Sequence, residues 1–148
     1  MTSFAVRLQQ FTDKTNRNCD ELVRGVVTDI ATKLDERSPV GDPALWKNPP
    51  PKGYEPGTFR GNWQLGVNVI PSGETGRIDP TGSETLGTII ASIPEHPAGT
   101  IIFLANNVPY ARAIEDGHSR FQAPTGLVGL TAIEFQQVVD ARATALAA

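Results

Sequence analysis

Cysteine and histidine are scarce in this chain, and much chemistry goes with them. The single cysteine, Cys19, excludes an internal disulfide and a cysteine-rich zinc site. The two histidines, His96 and His118, sit in neither a His-x-x-x-His nor a His-Glu-x-x-His setting. No apolar run approaches the roughly 20 residues that a membrane-spanning helix needs. Near the N-terminus the apolar residues are interrupted by Arg7 and Asp13, so no signal-peptide core forms there. The expectation is a soluble chain that matures without export by that route. Positive charge is also short, with 13 Lys and Arg against 16 Asp and Glu and a net charge of −3. Tight binding to a phosphate backbone needs clustered Lys and Arg, which this balance does not provide. A cavity that must let DNA slide could be this acidic. Gly73-Glu-Thr-Gly76 lacks the Gly-Lys-Ser/Thr ending of a phosphate-binding loop, and no Gly-x-Ser-x-Gly elbow or dinucleotide fingerprint is present.

What is there is enough for one globular domain over residues 1–148, with 39% hydrophobic residues to build a core. Residues 3 to 36 read as helix. Phe4, Leu8 and Phe11 start an apolar stripe, which Cys19, Leu22, Val23, Val26, Val27, Ile30 and Leu34 continue at helical spacing. On this reading Cys19 is a small buried hydrophobe. The polar run Thr12 to Asn18 is poor in helix formers and invites a break or kink. Ser38-Pro39 ends the helix, because the residue before proline is pushed out of helical geometry.

An irregular segment at about 38–61 follows, with Pro39, Pro43, Pro49, Pro50, Pro51 and Pro56. Loops of this length are usually functional or disordered. Leu45, Trp46 and Tyr54 set this one apart from a plain linker. It is either an arm that becomes ordered against a neighbouring subunit or a loop folded over its own domain. Residues 62–70 alternate polar and apolar, which predicts a half-buried strand with Trp63, Leu65, Val67 and Val69 on one face. Leu86, Ile89, Ile90 and Ile93 fit a helix of about ten residues closed by Pro94, with a strand as the alternative.

The run Thr100 to Ala105 predicts a second strand, leading into Asn106-Asn-Val-Pro-Tyr-Ala-Arg-Ala-Ile-Glu-Asp-Gly-His-Ser119. Pro109 suits a first helical position. Tyr110 and Ile114 fall on one helical face, while Arg112 can reach Glu115 or Asp116. Gly117 can end the turn with positive φ and present His118 and Ser119 in a loop. Leu127 to Leu130 reads as a short strand. Thr131 with Glu134 and Leu130 with Phe135 have the spacing of a capping box and its hydrophobic staple, so the last helix is expected to start there. Its buried face would be Phe135, Val138, Val139 and Leu146. The fold class expected is α+β, a small mostly antiparallel sheet flanked by the long N-terminal and the C-terminal helix. Phe59 and Arg60 at the loop's end combine an aromatic with arginine, the composition of interface cores. Trp63 next to them reads as core or contact. Glu115, Asp116 and His118 could hold a metal in a small hydrolase, which is the enzymatic alternative.

Taken together, Arg37-Ser-Pro-Val40, Gly57-Thr-Phe-Arg-Gly-Asn-Trp63, Asn106-Asn-Val-Pro-Tyr-Ala111, Glu115-Asp-Gly-His-Ser119 and Gln122-Ala-Pro124 resemble one family. They look like the neck or tail-completion proteins of tailed bacteriophages, the group that includes lambda-type minor tail protein Z. The match follows the family's order over nearly the whole chain, with Gly41 to Pro56 inserted where the family has only a few residues. The resemblance implies a non-enzymatic virion protein without metal or cofactor. It would form a ring, expected to be hexameric, at the head-proximal end of the tail. The implied partners are further copies of itself, a head-completion or connector protein, and the tail tube or tail terminator. Genome DNA would pass through the lumen. A tail-terminator or tail-tube subunit is the neighbouring alternative. A head-to-tail interface would close the ring, and the surfaces it would press together are those around Trp46, Tyr54, Phe59, Arg60, Arg112, Glu115, His118 and Ser119.

Overall fold

The computed structural model describes residues 3–50 and 52–148. Pro51, one of the prolines of the irregular segment, lies outside them.

Helix α1 runs from Phe4 to Arg37. Ser3 caps it, its hydroxyl accepting from the Val6 N–H at 3.3 Å. Its far end is Ser38, which turns extended before Pro39 while its N–H donates to the Asp35 carbonyl. The expected break at Thr12 to Asn18 does not occur. The polar run stays helical, with Thr12 and Thr15 turning their hydroxyls back to the Leu8 and Phe11 carbonyls at 3.0 and 2.9 Å. The stripe changes character along the helix. Val27, Ala31 and Leu34 are buried, whereas every described residue up to Cys19 is exposed. Cys19 is therefore not the buried small hydrophobe its register suggested: the loop at His96 and Ala98 bonds the neighbouring Asp20 and leaves the thiol exposed.

After a 3-10 turn at Pro43–Leu45 and a short α2 (Thr58–Gly61), β1 (Trp63–Val67) pairs antiparallel with β2 (Ile102–Asn106), placing Trp63 opposite Asn106 and Val67 opposite Ile102. β1 ends earlier than the alternation predicted. Asn68 adopts φ 61°, a left-handed conformation that asparagine tolerates. Its N–H donates to the Ile101 carbonyl at 2.7 Å and its side chain accepts from the Ile101 N–H at 2.9 Å, closing the ladder. Val69 is consequently 72% exposed instead of joining the buried face. Helix α3 (Ser83–Ser92) stands where the Leu86–Ile93 spacing placed a helix, and Ile89 and Ile93 are buried.

Helix α4 (Ala111–Glu115) starts later than expected, so Pro109 lies in the preceding turn and not at the first helical position. Leu127 to Leu130 is not a strand. It opens helix α5 (Val128–Ile133), which is followed at once by α6 (Phe135–Ala147). The expected capping box is absent for the same reason. Thr131 lies inside α5 and donates its hydroxyl to the Leu127 carbonyl at 2.7 Å, and Glu134 turns away to Arg37 and Lys33. Of the expected buried face of α6, Val138 is buried and Phe135 is 51% exposed. α6 lies antiparallel to α1, Arg142 pairing with Asp29 and Glu134 with Arg37. The core joins the second half of α1 to the sheet, α3 and the segment before α5, through Ala31, Leu34, Phe59, Trp63, Ile89, Val108 and Leu127. The architecture is α+β, with long N-terminal and C-terminal helices and a small antiparallel sheet.

Candidate functional site

Four of the five resembling segments meet around one junction at the C-terminal end of α1. Trp63 is 4% exposed, and its indole N–H donates to the Ser38 hydroxyl at 2.7 Å. Ser38 passes the bond on to the Leu34 carbonyl at 2.6 Å. The Arg60 guanidinium donates to the Ser38 and Pro80 carbonyls at 2.8 and 2.7 Å. Asn106 donates to the Phe59 carbonyl at 2.7 Å, tying the end of β2 to α2. Gln122 brackets Val40, accepting from its N–H and donating to its carbonyl. Arg37 reaches Thr131 and both carboxylate oxygens of Glu134.

The long loop lies over its own domain. The Tyr54 hydroxyl accepts from the Gly41 N–H at 3.0 Å and donates to the Gly41 carbonyl at 3.1 Å. Its ring packs against Trp46 at 4.8 Å and edge-on to Tyr110 at 5.8 Å. Burial pushes the Tyr54 phenol up. Gly41 lets the indole come down on the backbone, since a Cβ there would lie 2.6 Å from the Trp46 ring. Leu45 at the tip is 83% exposed and Trp46 40%.

Of the other residues proposed from sequence, Phe59 is buried in the core, edge-on to Trp63. Arg60 spends its guanidinium within the chain, so Arg60→Ala is expected to lower the stability of the monomer by about 2 kcal/mol, the scale of hydrogen bonds from a charged donor. Thermal or urea unfolding checks this. Unchanged unfolding together with weakened assembly would return Arg60 to a subunit contact.

Glu115 is a cap. Its carboxylate accepts from the Leu127, Val128 and Gly129 N–H groups, each at 2.9 Å, and so satisfies the open start of α5. Burial alone would raise this carboxyl, but those N–H groups outweigh it and hold it below the usual carboxylate range. Glu115→Ala is expected to cost about 1–2 kcal/mol, with hydrogen exchange rising first at residues 127–129. Asp116 pairs with Arg112 at 3.2 Å. Gly117, at φ 87°, ends the turn, leaving His118 exposed and Ser119 bridged to Ala123. Glu115 and Asp116 are thus taken up by separate partners while His118 stays exposed, and no group of ligands suited to a metal forms among the described residues.

Between β2, α4 and α5 runs a groove of ≈ 740 Å³, with Leu104, Val108, Leu127 and Val128 along it and Arg112 and Glu115 also lining it. At the opposite end of the molecule, Phe4, Leu8 and Phe11 of α1 are 73%, 52% and 69% exposed. Sequence periodicity found that stripe but not its lack of cover. Comparison with known protein families, characterised proteins and solved structures finds no match to this chain.

Asp79 and Thr85 were not singled out from sequence. Asp79 is 5% exposed and accepts from the Gly82 N–H, the Thr85 N–H and the Thr85 hydroxyl at 3.0, 2.8 and 2.8 Å. An aspartate shortly before a Thr-Gly-Ser helix start was the available signal. Asp35 is buried nearby, its Oδ1 without a partner. Burial raises the Asp35 carboxyl against the pull of Arg60, and Asp79 and Glu36 add to the rise.

Proposed function

We propose that this protein is a structural subunit of a tailed-phage neck, forming a ring that completes the head-proximal end of the tail and lets it join the filled head. The observation that carries this is the convergence of the resembling segments. Ser38, Arg60, Trp63, Asn106 and Gln122 come from distant parts of the chain and meet at one junction. Their polar groups are spent on holding backbone and, for Trp63 and Ser38, one another, as suits residues that define a shared fold and not a substrate site. The work is then done by surface: non-covalent contacts between copies and to the neighbouring rings above and below. A head-to-tail interface gives each copy two unlike faces, and the molecule has unlike open surfaces at its two ends.

The test is assembly in the absence of this protein. Lysates of a phage lacking its gene should contain filled heads and complete tails as separate particles under negative stain. Intact virions would overturn the reading. Tails of uncontrolled length would instead assign the chain to the tail terminator, and absent tail tubes to the tube.

A further inference from the structure

We infer that the sheet continues between copies of this chain: the outer edge of β1 in one copy pairs with the outer edge of β2 in the next. The inference rests on the ring reading and deepens it by naming the contact that closes the circle.

In an antiparallel pair, alternate residues exchange their N–H and C=O groups, and the residues between them point theirs outward. The Asn68 N–H donates to the Ile101 carbonyl, which fixes the alternation. Counted back along the register, Gly66 with Phe103 and Gln64 with Ala105 bond inward. Leu65 and Val67 on β1, and Ile102 and Leu104 on β2, therefore turn their backbone groups outward. Those groups have no hydrogen-bond partner among the described residues. The sheet has two strands, so both of its edges are open. Two strands alone are marginal, and a further strand on each edge is the ordinary way to stabilise them.

Neither edge is defended against pairing. An edge that faces water is commonly protected by charge, by proline or by a bulge. Residues 61–73 and 97–111 contain no Asp, Glu, Lys or Arg, in a chain that is 20% charged. Pro71, Pro97 and Pro109 all fall outside the strands, and the register from Trp63 to Val67 is unbroken. Beside β2 there is room for an incoming strand, because the groove of ≈ 740 Å³ runs along Leu104, Ala105 and Asn106. At the other end of the sheet, Val69, Ile70 and Ile101 are 72%, 61% and 62% exposed, an apolar margin that an added strand runs past.

A second copy is the occupant that fits both edges at once. Rotation about a ring axis leaves the rise of a strand along that axis unchanged. β1 of one copy then meets β2 of the next antiparallel, as the two strands meet within the chain. A strand from an unrelated protein satisfies one edge and leaves the other open. Pairing β2 with β2 leaves β1 open in both copies. Head-to-tail pairing repeated around the circle leaves no edge at all.

Val67→Pro and Ile102→Pro each remove one outward N–H and spare the inward ladder, so each caps one edge. Sedimentation of the full chain across a concentration series should show the wild type advancing past the dimer. Either variant alone is expected to associate roughly tenfold more weakly, the scale of one or two lost backbone hydrogen bonds, with a nearly unchanged melting temperature. Mixed one to one, the two variants should form a heterodimer and stop there, because the Val67→Pro chain keeps β2 and the Ile102→Pro chain keeps β1. Val67→Lys and Ile102→Lys put a charge on the same edges and repeat the test if proline loosens the fold. A wild-type dimer lost in only one of the two variants would show an edge pairing with its own kind and overturn the head-to-tail join. Undiminished association of both variants would overturn the edges as the contact while leaving the ring reading intact. A chain monomeric at every concentration would overturn pairing between copies. The neck reading is decided separately, by the particles formed without the gene.

Discussion

Trp63→Ala is expected to lower the unfolding free energy by about 4 kcal/mol, the scale of large aromatic truncations in a packed core. The indole is 4% exposed and stands where α1, α2 and the sheet meet. Truncation empties its volume between Leu34, Phe59 and Leu127 and removes the donor to Ser38. Two milder variants separate these contributions. Trp63→Phe keeps most of the volume and leaves Ser38 short only of an incoming bond, because its hydroxyl still donates to the Leu34 carbonyl. Ser38→Ala keeps the whole ring but strands the indole N–H in a buried place, a cost of about 1–3 kcal/mol. Denaturant unfolding of the three variants should rank Trp63→Ala as the most damaging. A smaller loss for Trp63→Ala than for Ser38→Ala would mean that the junction is held by the hydrogen bond and not by packing.

Asp79→Ala is expected to cost about 3 kcal/mol. The carboxylate satisfies the Gly82 and Thr85 N–H groups at the start of α3, and the Thr85 hydroxyl with them. Thr85 is 0% exposed, so its donors lose their partner without water to replace it. Asp79→Asn retains an acceptor oxygen and should lose about half as much. The same contacts predict a pH dependence. Burial would raise the Asp79 carboxyl, but the Thr85, Gly82 and Thr81 donors outweigh it and depress it in the folded state. A depressed folded pKa gives stability that is full above the unfolded value near 3.8 and lost as pH falls through the folded one. Glu115 acts in the same sense. Asp35 acts in the opposite one: its raised folded pKa means that ionisation costs stability, and that cost is relieved as pH falls through it. Asp35→Asn should therefore gain stability relative to wild type at pH 7 and less at pH 4. Urea unfolding at the two pH values reads both effects.

Period and spacing made much of the architecture readable. The long first helix, the helix over 83–92, both strands and the terminal helix follow from 3.6- and 2-residue patterns, which are local properties of a chain. Misreadings came where a side chain had a distant partner. Thr131 and Glu134 have capping-box spacing, yet Arg37 and Lys33 on α1 take Glu134 away. Val69 continues the strand alternation, but Asn68 turns the chain one residue earlier. Arg60 beside Phe59 has the composition of a contact surface, and no local pattern announces that its guanidinium also donates to the Ser38 and Pro80 carbonyls.

The amino-acid order alone determined that the chain is α+β, that α1 is amphipathic along nearly its whole length, and that ordinary metal and disulfide chemistry had few residues to use. It also carried the resemblance on which the neck reading draws. Only the tertiary structure decided which part of the α1 stripe is covered. A hydrophobic period fixes the direction in which side chains point, not whether anything stands opposite them. Val27, Ala31 and Leu34 meet the core, and Phe4, Leu8 and Phe11 meet water. Distance along one helix makes the difference, because the core meets α1 toward its C-terminal end and the His96–Ala98 loop reaches back only to Asp20.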